Sequence, residues 1–146
     1  MPNVSIKELQ ENIKTVIETD MPEIKSVELI MPENIDVSNS VGYPKIIIFW
    51  DSNNTATLNE QGNTVPLTII CCSVAESVDD EDAISFEIQS DCFQYISKLM
   101  DLLQREHYFN GDLNESATPF NHRYNDGLAG VTITPNFIIQ KPAYNV

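Results

Sequence analysis

Residues 80–107 read DEDAISFEIQSDCFQYISKLMDLLQREH, and this stretch decides the fold. Ile84, Ile88, Cys92, Tyr95, Ile96, Leu99, Leu102 and Leu103 recur at steps of four, four, three, one, three, three and one. That rhythm belongs to a helix with one buried face, not to the alternation of a strand. Gln89, Asp91, Gln94, Ser97, Lys98, Asp101, Gln104 and Arg105 fill the other side. At about 1.5 Å per residue such a helix would run roughly 40 Å. Only another extended surface covers a helix of that length in a small domain, and the β-type segments on either side supply it.

Upstream, a first helix is expected from Ser5 to about Thr19. Ser5 and Glu8 match a capping box, and Val4 with Leu9 matches a hydrophobic staple. Ile6, Leu9, Ile13, Val16 and Ile17 give it one apolar stripe, and Met21-Pro22 ends it, because the residue before proline disfavours helix. Ile24–Ile30 reads as a strand and 31–43 as a loop rich in Pro, Asn and Gly. Lys45-Ile-Ile-Ile-Phe-Trp50 is the clearest strand, apolar at nearly every position. Asp51–Gly62 reads as an exposed hairpin loop, and Val65–Val74 as the next strand.

Downstream, Asn110-Gly111 stops the long helix, and Leu113–Asp126 is polar and irregular. Leu128–Gln140 is the last strand, with Pro135 demanding an edge, a bulge or a bend. Pro142–Val146 is a short tail. The expected fold is α+β in two layers: about four mostly antiparallel strands with two amphipathic helices packed on one face. A chain of 146 residues fits a single domain spanning 1–146.

The charge is −14, from 22 acidic and 8 basic residues. Nucleic-acid binding is built on Lys and Arg neutralising phosphates, so sequence-specific binding of this kind is not expected. Negative walls would suit a pore through which DNA slides without sticking. No apolar run approaches the ~20 residues of a membrane span, and Met1-Pro2-Asn3-Val4-Ser5 lacks the features of a signal peptide. Synthesis in the cytoplasm, without membrane insertion, is therefore expected.

Chemistry is hard to find. Cys71 and Cys92 lie in a strand and on the helix stripe, and Cys72 follows Cys71, a spacing suited neither to zinc nor to a disulfide framework. They read as small buried side chains. His107 and His122 have no partners at ligand or catalytic spacing. The acids at 79–82 favour a helix N-terminus and lack the alternating ligands and glycine of a calcium loop. Gly127-Leu128-Ala129-Gly130 precedes a strand, so it is not a phosphate cradle. No hydrolase elbow, zincin or Walker motif occurs. No enzymatic role, cofactor or metal is expected.

Apolar and aromatic residues stand out instead. Trp50 ends a strand, while Phe109, Phe120 and Tyr124 fall in loops. Strands apolar on both sides, with helices on one face only, leave the other face to be covered, and association does this. The candidate interface is therefore Ile46, Ile48, Trp50, Phe109, Phe120 and Tyr124. A set of elements then resembles the tail-terminator, tail-completion or neck ring proteins of tailed bacteriophages. They are the amphipathic helix from Ser5, Tyr43-Pro44-Lys45-Ile46-Ile47-Ile48 opening a strand, and an exposed loop. A second strand ending at Val74, an acidic entry to a long helix, and a closing strand begun by Leu128-Ala129-Gly130-Val131 complete the set.

That resemblance implies a structural virion protein in a homo-oligomeric ring, a hexamer or a dodecamer, at the head–tail junction. It would end or complete the tail and pass DNA through an acidic lumen. Its partners would be portal-side connector proteins and the tail tube protein, and its place the virion neck. Two other classes compete: an acidic adaptor or inhibitor module of bacterial or prophage origin, and a small enzyme with a carboxylate site.

Overall fold

The computed structural model describes residues 5–29, 42–60, 62–74, 81–106, 108, 115–121 and 128–140. Its elements run α1 (Ile6–Asp20), β1 (Ser26–Glu28), β2 (Lys45–Phe49), β3 (Asn63–Pro66) and β4 (Thr68–Val74). They continue with α2 (Glu81–Arg105), β5 (Thr118–Asn121), β6 (Leu128–Ile133) and β7 (Asn136–Ile139). The fold is α+β, with helices packed on a sheet, as the sequence implies.

Ser5 caps α1 by accepting the Glu8 backbone N–H at 3.1 Å. Leu9, Ile13 and Ile17, one turn apart, turn inward from it. Ser5→Ala should cost about 1 kcal/mol, the usual worth of an N-cap hydroxyl. Urea unfolding followed by circular dichroism measures it, and an unchanged midpoint would mean the cap contributes nothing.

Five strands form the main sheet in the order β1-β2-β4-β6-β5. Four of them pair antiparallel, but β1 runs parallel to β2, with Ser26 opposite Lys45. Short loops force antiparallel pairing, and the sheet is mostly antiparallel as expected. The connection through residues 29–44 exceeds the dozen or so residues that a parallel return needs, so that rule does not bind here.

Two expected strands are each divided. Val65–Val74 breaks at Leu67, leaving β3 and β4 in different sheets. Leu128–Gln140 breaks at Thr134-Pro135, leaving β6 and β7 likewise apart. The bend expected at Pro135 is therefore a change of sheet. β3 and β7 pair with each other, from Asn63 opposite Ile139 to Pro66 opposite Asn136. Pro66 and Pro135 mark the exits, since proline gives no N–H to a ladder. In the segment expected to be irregular, β5 forms a short edge strand, where Pro119 is tolerated.

Strand alternation sorts the side chains. Ile46, Ile48, Ile69, Cys71, Val131 and Ile133 meet Leu9, Ile13, Ile17, Cys92, Ile96, Leu99 and Leu103 of the helices in the larger core. Val65, Phe137 and Ile139 of the small sheet join the same core. On the reverse face, Ile47, Phe49, Ile70, Cys72, Phe120 and Leu128 form a second apolar cluster, flanked by Tyr43 and Val74.

This arrangement corrects the expectation of an uncovered apolar face. Ile47, Ile70 and Cys72 on the reverse side are 0 % exposed, so that face is out of water within one chain. Lys45 opens β2 on this side and is itself buried. Glu28 pairs with it at 2.8 Å, and the Tyr43 ring lies 4.8 Å from its ammonium. Such pairing is what a buried ammonium requires.

Candidate functional site

Of the six residues singled out for an interface, four are described, and one of those four lies at the surface. Ile46 and Ile48 point at the helices and are wholly buried, so neither is available to another molecule. Phe120 is buried in the reverse-face cluster. Phe109 and Tyr124 lie outside the described residues, as do His107 and His122. Trp50 is 44 % exposed.

Trp50 begins a strap that leaves the end of β2. Its indole N–H donates to the Asn54 carbonyl at 2.8 Å. Asp51 accepts the Asn53 N–H on its carboxylate and the Asn54 N–H on its backbone carbonyl. The Asn54 amide reaches back to the Thr68 hydroxyl at 3.3 Å, and Thr57 exchanges two backbone hydrogen bonds with Thr64. Local bonds of this kind give the loop a defined turn. Trp50 is thus held, not loose, and with Ala56 and Leu58 it borders an open hollow of about 520 Å³. Leu58 is 78 % exposed.

The strap continues into a polar trough of about 350 Å³ that shares Asp51 and Asn54 with it. Thr68, Thr118, Thr132 and Thr134 give the trough its hydroxyls, and Glu115 closes the far side. Burial raises the Glu115 carboxyl above its ordinary value, against the backbone N–H groups of Thr134 and Ser116, which pull it down. A third hollow, of about 150 Å³, lies on the helix side of the sheet against α2 and shares Glu115 and Ile133 with the trough as lining. Phe93, Ile96, Met100 and Ala117 make it apolar, and Asp101 stands at its rim.

Phe93 and Phe86, two turns apart on α2, are 50 % and 72 % exposed. Neither stands out in the sequence, because both interrupt a face otherwise filled by polar residues. An aromatic pair seven residues apart on that face is the signal that marks them.

The thiols behave as buried hydrophobic groups. Cys71 lies in the larger core and Cys72 in the other, as adjacent strand residues must. A hydrogen bond with Cys92, together with burial, pushes the Cys71 thiol well above its usual value. Burial pushes Cys72 up to about 12. Neither is a nucleophile near neutrality. Among the described residues, no group of three or more His, Cys, Asp or Glu side chains converges as metal ligands would. No described helix is long and apolar enough to cross a membrane.

No family model matches the chain, and neither does any curated protein or solved structure.

Proposed function

We propose that the protein is a structural virion protein of a tailed phage, assembling as a ring at the head–tail junction and completing or terminating the tail. The observation that carries this reading is the Trp50–Leu58 strap, a hydrogen-bonded turn presenting two large apolar side chains to water. Aromatic side chains so placed are typical anchors of protein interfaces. A ring uses two different surfaces of each copy, one meeting the other head to tail. The strap is one of these, and the lumen carries part of the negative charge past which DNA moves.

Trp50→Ala should break the ring while leaving a folded monomer, since Trp50 is not part of either core. Loss of an interface tryptophan costs about 2 kcal/mol or more, roughly 30-fold in affinity. Size-exclusion chromatography with light scattering reads the outcome, and an oligomer unchanged in Trp50→Ala would remove the strap from the interface.

Copies that each carry −14 repel one another. Assembly should therefore strengthen as salt shortens the Debye length from about 10 Å at 0.1 M to about 3 Å at 1 M. Electron microscopy of the purified protein across that range should show rings with a central hole. A monomer throughout, with tight binding to a cationic protein, would replace this reading with that of an acidic adaptor or inhibitor.

A further inference from the structure

The reverse face of the main sheet changes character at one end. Thr68 stands two residues before Ile70 on β4, so the two share a face. Thr132 of β6 lies opposite Ile70, and Thr118 of β5 lies opposite Thr132, which puts all three hydroxyls on that face. Beyond the apolar cluster of Ile47, Ile70 and Cys72 they floor the trough of about 350 Å³. Asp51 and Asn54 reach it from the strap, and Glu115 and Ser116 from the approach to β5.

The lining selects its ligand by exclusion and by demand. Among the described residues that line it there is no Lys, Arg or His, so nothing there would neutralise a phosphate or a carboxylate. Ile133 is the one apolar residue in that set, and its side chain belongs to the larger core. Hydrogen-bonding capacity of both kinds is left over. Thr68 is 4 % exposed, and its hydroxyl accepts the Asn54 amide at 3.3 Å, yet no described group accepts its proton. A buried hydroxyl donor calls for an acceptor. Asp51 takes the Asn53 N–H on one carboxylate oxygen, and no described donor reaches the other. A metal ion or an ammonium group would suit the carboxylates but offers Thr68 no acceptor. An alcohol does both with one atom, giving its proton to a carboxylate and taking one from Thr68.

We propose that the trough binds a neutral polyhydroxyl ligand, a pyranose sugar, whose hydroxyls donate to Asp51 and Glu115 and accept from Thr68. Its volume of about 350 Å³ lies near the lower end of small-molecule sites, roughly 300–1,000 Å³, and has room for a monosaccharide. The site is complete within one chain and needs no ring.

The test uses the full chain, with the methyl glycosides of glucose, galactose and mannose as probes. Cyclohexanol, calcium chloride and putrescine are the controls. Saturation-transfer NMR should detect at least one glycoside, with a Kd of about 10 mM or below. The amide signals of Thr68, Thr118 and Thr132 should move on titration. Cyclohexanol, a ring with a single hydroxyl, should bind about tenfold more weakly. Thr118→Val, at an exposed position, and Glu115→Gln, which keeps an acceptor for the Thr134 N–H, should each lower glycoside affinity several-fold with unchanged circular dichroism. Asp51→Asn, which keeps an acceptor for the Asn53 N–H, should do the same. Any one of four results would overturn the proposal: none of the glycosides bound at about 50 mM, far above that Kd, calcium or putrescine bound in their place, signal changes confined to other surfaces, or unchanged affinity in all three variants.

Discussion

Ile48→Asp is expected to abolish folding, not to disperse an assembly of folded monomers. The side chain is 0 % exposed and sits between the sheet and both helices. Replacing it forfeits the roughly 1.5–3 kcal/mol of a buried isoleucine. It also puts a carboxylate among apolar neighbours with no cation to pair it. Together these exceed about 5 kcal/mol, against a total stability of about 5–15 kcal/mol for a domain. Circular dichroism should show loss of the helical signal, and proteolysis should be rapid. Ile48→Val, which removes one methylene, should cost only about 1 kcal/mol and stay folded. A folded, cooperative Ile48→Asp protein would mean that β2 does not face the helices as described.

Gly130→Ala should be nearly as damaging for a change of one carbon. Gly130 sits in β6 opposite Cys72. A Cβ there would fall 2.0 Å from the Cys71 carbonyl oxygen and 2.8 Å from the Cys72 Cα. Those are backbone atoms of the central strand, so no side chain can swing away to make room. Separation of β4 from β6 is the only relief, at a cost of about 3 kcal/mol or more. Thermal unfolding should drop by about 10 °C. Gly42 provides the contrast. Its φ of +96° makes alanine strained there, but among the described residues an added Cβ meets Ser26 alone, at 3.4 Å. Gly42→Ala should therefore cost about 1–2 kcal/mol. A larger loss at Gly42 than at Gly130 would refute the close strand approach.

Both helices were readable in the sequence because a 3.6-residue period agrees with a start and a stop signal at each, the Ser5 cap and Met21-Pro22 for the first, the acids at 79–82 and Asn110-Gly111 for the second. The Ser5 cap and the stripe from Ile88 to Leu103 appear in the structure at the expected places. Strand existence was legible too, but strand membership was not. Continuous apolar runs such as Leu67–Cys72 state that both faces are buried without saying by what. The covering of Ile47 and Ile70 within the chain was therefore invisible, and association took its place in the reading. The break at Leu67 had a local sign in Pro66, as the change of sheet had in Pro135. Strand β5, only four residues long with a proline inside, carries no period to detect. The trough escaped notice for a related reason. Thr68, the 115–118 segment and Thr132 come from three separate stretches of chain, and only the pairing of β4, β6 and β5 gathers them.

The pairing of β4 with β6 also fixes when the molecule can exist. Strand β4 ends at Val74, yet its neighbour on one side begins only at Leu128. A nascent chain halted between them holds a central strand with half its ladder bare. Contacts so distant along the chain make for slow acquisition of the native state, by comparison with a helical bundle of equal size. Ribosome-bound intermediates should therefore need chaperone shelter until residues 128–139 emerge, and only then can the hydrophobic middle close.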